Sequence, residues 1–508
     1  MDKKIIASLI GSVLLAFTLV YSLPILYAIF IEQSFYAVAI FSAPAILTAG
    51  ISMALYSYGR GHRRRLPVTE SALSMLLIYP VTAMLGMVPF IVTGYLSPID
   101  AFLETVSDVT SAGLGLMPND APYILRIWQS TLMWFGSLIF LAMLVTLMPE
   151  VGGSFGVSMT LQGGQLFSPL FGQMNAMAQR MIKTYTGLTL VSFVLFKLAG
   201  LNFFDALLMA MRCISTGGGN FFPGVGNAYV EYAAAASMLL ACGNFLLYYR
   251  LIQTLPPPRR NEKVNIFKRV INYVKIFRQN LFYNIKIFFR NSEVKTCTLI
   301  ILFSVIFIFF AVIWRGYTVD VELSLRYALF HTVSFLSTTG LTLEISDIHD
   351  FDKFMVFLMA VFGGCMGSVT GGLKMMRVLV LFKSAATELT RTMHPHMMTS
   401  IRVNDNAVPR ETVGRITAFF FLSCFTLFFC AAVLSFMDTK FSEAVAMSAV
   451  CLTNVGCLPE LIDANSFLYL SDVAKFFCAV ILVVGRVEIF ALLIFSAGFN
   501  SKQRLVRS

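Results

Sequence analysis

The composition of this 508-residue chain is typical of a protein embedded in a lipid bilayer. Hydrophobic residues make up 57 %, charged residues only 13 %, and the mean hydropathy is +0.77. A soluble fold cannot cover so much apolar surface with so few charges, which excludes a set of soluble domains despite the length. The composition therefore predicts an all-α polytopic membrane protein, with uncharged runs long enough to cross about 30 Å of hydrocarbon.

The net charge of +11 is concentrated in a few short segments. Four Arg lie in residues 59–65, eleven Lys or Arg in residues 250–295, and three in residues 502–507. Because cytoplasmic loops of membrane proteins are enriched in Lys and Arg, these segments and both termini are predicted to be cytoplasmic. The distribution argues against nucleic-acid binding. The linkers without any Lys or Arg are 31–35, 95–101, 219–230 and 457–470.

Two leading transmembrane helices are expected within residues 1–66, at about 4–31 and 35–58. The first follows Lys3 and Lys4, as the apolar core of a secretory signal peptide would. Its uncharged run from Ile5 to Ile31 is longer than such a core, and no clear cleavage site follows. We therefore expect a retained helix rather than a signal peptide.

One short pattern, a small polar residue two places before a glycine, recurs four times in the chain. The four glycines are between 105 and 122 residues apart, and this near-equal spacing indicates a fourfold internal repeat. The four copies are Ser111-Ala112-Gly113, Thr216-Gly217-Gly218, Thr338-Thr339-Gly340 and Asn454-Val455-Gly456.

The sequence before each glycine repeats as well. An acidic residue lies thirteen positions before three of them, at Asp100, Asp205 and Glu443, whereas the third repeat has Tyr327 there and Glu322 further upstream. The apolar stretch that follows has about twelve residues, too few to span a bilayer and suited to a re-entrant helix. An acid in the first turn of such a helix is stabilised by the helix dipole, and we expect these acids to act as helix caps without a further role.

Each repeat is therefore predicted to be an outer helix, a short pore helix, a loop and an inner helix. With the two leading helices this gives about ten spanning helices around one central pore. The outer helices are expected near 70–94, 181–200, 296–314 and 412–437, and the inner helices near 126–148, 230–251, 354–382 and 471–497. The repeats are predicted in 67–150, 151–255, 296–384 and 385–508, the last with a basic tail, and a basic cytoplasmic or interfacial linker in 256–295.

Four loops at membrane depth predict a cation filter. Non-helical backbone is tolerated there only where it is buried in protein or lines water, so four such loops can line one pore. Backbone carbonyls can replace the hydration shell of a cation, and glycine allows the angles that point carbonyls at an axis. The negative ends of four pore helices would favour a cation at the same place. Glycines that only let helices pack closely are the alternative, but they would not recur in phase with the short helices.

These motifs resemble the Trk/Ktr/HKT superfamily of potassium transporters, most closely its bacterial TrkH-like branch. The first repeat contains F-x-E-x-x-S-x-x-T-x-x-G from Phe102 to Gly113, the later repeats contain S-T-G-G, S-T-T-G and N-V-G, and the last inner helix contains Gly485-Arg486-Val487-Glu488. The resemblance implies potassium uptake across the cytoplasmic (inner) membrane, with K⁺ as the transported ion at filter carbonyls and no cofactor in this chain. It also implies a homodimer and a cytosolic TrkA-like nucleotide-binding regulatory subunit.

Two motifs depart from the family pattern. The second repeat has Gly219 where the family usually has phenylalanine, and the fourth continues with Cys457 where proline is usual. The loss of the aromatic residue is expected to loosen the support of the filter. A less selective K⁺/Na⁺ channel of the same fold therefore stays an alternative. A proton- or sodium-coupled symporter of this fold is a separate alternative. Family members with serine at the first filter glycine tend to admit sodium, but this chain has glycine at all four positions.

A glycine-rich segment is expected to interrupt the third inner helix. Five of the ten residues from 363 to 372 are glycine, and each costs ~1 kcal/mol relative to alanine inside a helix. A flexible packing kink is one interpretation. The resemblance implies an intramembrane gate below the filter. The predicted gate comprises Gly363, Gly364, Gly367, Ser368, Thr370, Gly371, Gly372, Lys374 and Arg486.

Two charges accompany this segment. Lys374 could compete with a permeating cation or extend towards the membrane surface, and Arg486 lies deep in the last inner helix. An intramembrane arginine marks a functional site, and the resemblance makes it a pore charge beside the gate. A structural ion pair with Glu488 is the other interpretation.

The remaining residues argue against a membrane-embedded enzyme. The nine Cys and five His show no metal-ligand spacing, so the cysteines are expected to be buried apolar residues and His331 a packing residue in a pore helix. Residues 262–290 mix basic and aromatic side chains, which suits an interfacial helix on membrane lipid or a docking segment for a regulator.

Overall fold

The computed structural model of the chain describes most of its membrane region. The described residues are 3–59, 68–118, 120–146, 171–253, 286–314 without 287, 320–343, 350–394, 400–457 without 405, and 464–492 without 490. The basic clusters in 60–65 and 502–507 and most of the basic linker 256–295 lie outside them, so the expectations for those segments stay predictions.

Two helices precede the first repeat, as the hydropathy predicts. The first runs through Lys3–Val20 and Ser22–Tyr27 into a π-helical turn, Ala28–Glu32. The second is Phe35–Tyr58, and the hydroxyl of Ser34 caps it by accepting a hydrogen bond from the Ala37 amide at 3.3 Å.

An apolar outer helix begins each repeat. In the most apolar 18-residue stretch of each outer helix, only 22 to 44 % of the residues are buried, against 78 % for the first inner helix. The outer helices therefore expose apolar side chains as a lipid-facing shell, and the inner elements form the interior. The outer helices are Val68–Gly86 continued by Val88–Val92, Phe171–Leu198, Ser292–Trp314 and Arg410–Phe436.

A pore helix of 12 to 16 residues follows each outer helix. At 1.5 Å per residue these helices are about 18–24 Å long, which is too short to cross the hydrocarbon core, as predicted. All four have an acidic residue in the first turn: Asp100, Asp205, Glu322 and Glu443. The pore helices are Pro98–Val109, Phe203–Ser215, Val321–Leu336 and Phe441–Thr453.

The inner helices differ in continuity. The first, Tyr123–Thr146, is unbroken, whereas the second is Ala228–Cys242 followed by Phe245–Gln253. The third divides into Asp350–Phe362 and Met375–Met393, and the fourth is Asp472–Val487. Within the described residues seven helices are long and apolar enough to span a membrane, because three of the ten expected spans are these broken or short inner helices.

Two small elements complete the described structure. A two-stranded antiparallel hairpin pairs Arg402–Val403 with Asn406–Ala407 between the third inner and fourth outer helices. A short helix, Ala464–Leu468, precedes the fourth inner helix.

Candidate ion pathway

All four pore helices end in the same way. In each repeat the amide just before the filter glycine donates to the carbonyl five residues earlier, at 2.8 to 3.1 Å. This six-residue closure is the Schellman motif, which requires a left-handed residue just after the helix. The small polar residue of each repeat occupies that position. Its φ is +60° at Ser111, +60° at Thr216, +58° at Thr338 and +52° at Asn454.

The four glycines lie against one another in chain order. A Cβ on Gly113 would lie 2.6 Å from the amide nitrogen of Gly218, and one on Gly218 would collide with the carbonyl oxygen of Thr339. A Cβ on Gly340 would lie 2.6 Å from Cα of Gly456, and one on Gly456 would lie 3.3 Å from the carbonyl oxygen of Gly113. The four loops therefore close into a single ring, and each of these positions except that of Gly456 lacks space for a side chain.

Two repeats hold their loops with equivalent side chains. Nine residues before the glycine, Glu104 accepts a hydrogen bond from the Leu116 amide at 2.9 Å, and His331 accepts one from the Leu343 amide at 3.3 Å. Six residues before the glycine, the Ser107 hydroxyl accepts from the Leu114 amide at 2.7 Å.

The matching Ser334 hydroxyl donates to the carbonyl of Leu341 at 2.7 Å. His331 packs against the ring of Tyr327, as predicted, but the packing interpretation was incomplete because the imidazole also holds the third loop. The pairing of positions across repeats 1 and 3 is a signal in the sequence that could have assigned this role.

The second repeat is held differently. Arg212 stands where repeats 1 and 3 have Ser107 and Ser334, and its guanidinium donates to the carbonyl of Gly218 at 2.9 Å. The ring of Phe221 packs on the same guanidinium at 5.3 Å. A charged side chain therefore supports this loop, and the expectation that Gly219 loosens it stays a prediction.

The fourth repeat is tied to the pore wall through Asn454. With its amide oriented to satisfy its neighbours, Asn454 donates to the carbonyl of Leu482 at 3.1 Å and to the Thr110 hydroxyl at 3.2 Å. It accepts from the amide nitrogen of Arg486 at 3.0 Å. Cys457 donates its thiol to the carbonyl of Leu114 at 3.2 Å, which joins the fourth loop to the first.

The glycine-rich segment forms a loop between the two halves of the third inner helix. The Met375 amide donates to the carbonyl of Gly364 at 2.9 Å, and the Leu373 amide donates to the carbonyl of Val361 at 3.0 Å. A Cβ on Gly363 would collide with the carbonyl of Gly371, so the loop folds back on itself where only glycine fits. The helix interruption predicted from five glycines is present, and its residues from 363 to 370 are buried.

Lys374 closes this loop with its own side chain. Its ammonium donates to the carbonyl of Thr370 and lies 3.1 Å from the Thr370 hydroxyl and 3.5 Å from the carbonyl of Ser368. The side chain is 4 % exposed and does not reach the membrane surface. The hydroxyls of Ser368 and Thr370 bond to each other at 2.6 Å. These two hydroxyls are therefore satisfied within the loop and by Lys374, without Arg486.

Arg486 instead joins the glycine-rich loop to the first of the predicted filter loops. Its guanidinium donates to the carbonyl of Val369 at 2.8 Å and to the hydroxyls of Ser137 at 3.3 Å and Ser111 at 3.5 Å. Glu488 does not pair with it: that carboxylate receives two hydrogen bonds from Arg377, at 2.8 and 3.0 Å. The ion pair considered for Arg486 is thus made by Arg377.

The loop lies directly beside two filter loops. The Gly371 amide donates to the hydroxyl of Thr338 at 2.9 Å. A Cβ on Gly371 would collide with the carbonyl of Thr453 at the end of the fourth pore helix. A displacement of the loop would therefore change contacts of the third and fourth filter loops.

Comparison with known proteins assigns the family. Residues 71–504 match the family described as TrkH, cation transport protein. The chain belongs to this family. The TrkH family also agrees with the prediction that the chain is a transporter and not an enzyme, since its curated members are named as potassium uptake proteins.

Several relatives match nearly the whole chain. It is 26 % identical over 504 residues to the Trk system potassium uptake protein TrkH of Halomonas elongata, covering 97 % of this chain and 98 % of the relative. It is 28 % identical over 413 residues to the TrkG protein of Escherichia coli, covering 79 % and 78 %.

The crystal structure of the potassium transporter TrkH from Vibrio parahaemolyticus has the same fold. It superimposes with a TM-score of 0.82 at 23 % identity, covering 97 % of this chain and 98 % of that one. The predicted TrkH-like fold is confirmed, and the chain is a multi-pass membrane protein. Among the residues that the structure describes, no cluster of His, Cys, Asp or Glu is arranged to hold a metal ion.

Proposed function

We propose that this chain conducts potassium into the cell through a filter formed by its four glycine loops. The observation that carries the proposal is the closed ring of Gly113, Gly218, Gly340 and Gly456, placed at the negative ends of four short helices. The proposed filter comprises Ser111, Ala112, Gly113, Thr216, Gly217, Gly218, Thr338, Thr339, Gly340, Asn454, Val455 and Gly456.

Backbone chemistry supports a cation as the cargo. A ring of carbonyl oxygens can replace the water around a cation, and the partial negative charge at each pore-helix terminus favours positive charge. The names of the relatives from Halomonas and Escherichia point to potassium among the cations. K⁺ is then the substrate, and the chain needs no cofactor.

The experiment is K⁺ and Na⁺ flux into liposomes that contain the purified protein. The unmodified protein is expected to prefer K⁺, and Gly113→Ser to lower the permeability ratio at least about tenfold, ~1.4 kcal/mol, because its Cβ would lie 2.6 Å from the Gly218 amide. Gly187→Ser is the matched control, since a Cβ there would meet nothing within 4 Å. Equal K⁺ and Na⁺ permeability of the unmodified protein would favour the less selective channel, and flux that follows a proton or sodium gradient would favour the symporter.

We further propose that the loop from Gly363 to Gly372, with Lys374 and Arg486, is the gate. In support, Lys374 and Arg486 donate hydrogen bonds to carbonyls of the loop, and the Gly371 amide contacts the filter residue Thr338. Two positive charges against this loop oppose the passage of a cation while it is closed.

The proposed setting is the cytoplasmic (inner) membrane, with both termini cytoplasmic, as the distribution of Lys and Arg favours. The repeats would divide the chain at 66, 150, 255, 295 and 384. We propose a homodimer that binds a TrkA-like nucleotide-binding subunit on segments 149–180, 256–295 and 383–410. The relatives are named as members of a Trk system, which supports the partner subunit.

Gentle co-purification from native membranes should retain the regulatory subunit, and nucleotide should change the flux. Isolation of the chain alone, with flux indifferent to nucleotide in native membranes, would contradict this part of the proposal.

A further inference from the structure

The second repeat contains a buried positive charge that the other three repeats lack at that position. Six residues before the filter glycine, repeats 1 and 3 have serine and repeat 4 has valine, whereas repeat 2 has Arg212. Its side chain is 0 % exposed. The guanidinium donates to the Ser130 hydroxyl at 2.7 Å, to the side-chain oxygen of Gln129 at 3.2 Å and to the Gly218 carbonyl at 2.9 Å.

Gly219 and Arg212 form one structural feature. A Cβ on Gly219 would lie 2.9 Å from Nη1 of Arg212, and the φ of Gly219 is +83°. A side chain at this position would therefore compete with the guanidinium for the same space and be strained as well. The absence of a side chain at residue 219 leaves free the space next to the guanidinium.

Two buried acidic residues on the first pore helix lie within electrostatic range of this charge. The guanidinium interacts electrostatically with Asp108 and Glu104, both fully buried. Glu104 is held by the Leu116 amide and by Gln129, which also accepts from Arg212. Neither oxygen of Asp108 has a hydrogen-bond partner among the described residues, and Arg212 is the positive charge that acts on it. The two acidic side chains and the guanidinium therefore form a buried polar cluster next to the ring of glycines.

The hydrogen bond from Arg212 changes what the Gly218 carbonyl can do. A carbonyl oxygen has two lone pairs, and the guanidinium occupies one of them and draws electron density from the oxygen. A positive charge at this distance also repels a cation at the ring, since buried charges are weakly screened. Serine in the same position carries no charge, and the hydroxyl of Ser334 donates to the carbonyl of Leu341 and not to that of the filter glycine.

We propose that Arg212 is an affinity-setting residue of the filter: it weakens cation binding at the Gly218 carbonyl, and Asp108 opposes it. The proposal rests on the proposed potassium filter. It predicts that a substitution of Arg212 strengthens K⁺ binding and that a substitution of Asp108 weakens it. A general loosening of the fold would not produce opposite changes in K⁺ binding.

The test measures two values. The first is the half-saturating K⁺ concentration for flux in liposomes, and the second is the Kd for K⁺ of the purified protein by calorimetry, which does not depend on gating. Arg212→Ser, which installs the residue of repeats 1 and 3, is expected to lower both values about tenfold, ~1.4 kcal/mol. Asp108→Asn is expected to raise both values. Ser107→Ala is the matched control: it removes a support of the first loop without changing charge and should not tighten K⁺ binding.

The double variant Arg212→Ser with Asp108→Asn is used if Arg212→Ser alone does not fold, because it does not leave a buried carboxylate without Arg212. It should bind K⁺ with nearly the unmodified affinity. The decisive negative result is K⁺-selective flux with a half-saturating K⁺ concentration that changes less than about twofold in Arg212→Ser, in Asp108→Asn and in the double variant. That result would overturn this inference and leave the proposed filter intact. Absence of saturable K⁺ flux in the unmodified protein would overturn the proposed filter and this inference together.

Discussion

Glu104 and His331 occupy the same position in the first and third repeats and accept a hydrogen bond from the same loop amide, three residues after the filter glycine. One is a carboxylate and the other an imidazole, so what the two repeats share is an acceptor and not a residue type. His331 can accept through Nε2 because its Nδ1 faces the carbonyl of Tyr327 at 3.1 Å. This pairing assigns the proton to Nδ1.

The acceptor at residue 331 should matter more than its size. His331→Phe retains an aromatic ring but leaves the buried Leu343 amide without its partner, which costs about 1–3 kcal/mol. We expect a lower melting temperature and a smaller K⁺ to Na⁺ permeability ratio, measured on purified protein and in liposomes. His331→Gln, which can still accept, should retain more of both. Equal behaviour of the two variants would show that only packing matters here.

Loss of the contact between Arg486 and the gate loop should favour the open pore. A hydrogen bond to a charged group contributes about 1.5–3 kcal/mol, so removing it by Arg486→Ala should shift a closed–open equilibrium at least about tenfold. Flux should rise with the K⁺ to Na⁺ preference unchanged, and shortening the loop should act in the same direction. Arg486→Gln keeps an amide donor without the charge and should give a smaller rise. If flux stays at the unmodified level in every variant while protein abundance is maintained, the segment is only a packing kink.

The ammonium of Lys374 occupies oxygens that could otherwise hold a permeating cation. Lys374→Met should leave the carbonyls of Ser368 and Thr370 facing pore water and create a weak cation site. The melting temperature of this variant should then rise more in KCl than in choline chloride, and by more than that of the unmodified protein. Lys197→Met, which removes an exposed lysine on the second outer helix, is the control. An identical response to KCl in both variants would refute the prediction.

The ion pair between Arg377 and Glu488 should stabilise the fold. Arg377 is 3 % exposed and Glu488 19 %, with their closest nitrogen and oxygen 2.8 Å apart. Removing one partner of a buried pair costs about 3–5 kcal/mol, so Glu488→Ala should strongly lower the melting temperature in detergent. Glu411→Ala removes an exposed carboxylate 3.9 Å from Arg415 and should cost less than about 1 kcal/mol. Similar losses in the two variants would contradict the burial argument.

The repeat architecture was predictable because its signals are local and recur. The spacing of the glycines, the acids in the first turns and the short apolar stretches each follow from helix length and backbone conformation. The interruption of the third inner helix was predictable for the same reason, since a run of glycines from 363 to 372 makes a helix costly.

The long-range partners of the charged residues were not predictable. Asp100 lies in the first turn of its helix, as expected, but its carboxylate also forms an ion pair with Lys475 at 2.6 Å, from a helix far along the chain. Arg486 bonds to Val369 and Glu488 to Arg377, because the packing of four repeats decides which side chains meet. Arg212 was missed for a different reason. Its importance becomes visible only when the position six residues before each glycine is compared across the repeats.

The ring of Gly113, Gly218, Gly340 and Gly456 closes within a single polypeptide. In an assembly of four identical chains, every substitution appears in all four quadrants at once. Here each quadrant has its own gene segment and can change by itself. The four repeats have accordingly become unequal. An acidic or a neutral acceptor holds the loop in the first and third repeats, a guanidinium holds it in the second, and the fourth loop is joined to the helix of Arg486. An ion in the proposed filter would therefore be surrounded by a ring that is similar in its backbone and asymmetric in the side chains behind it.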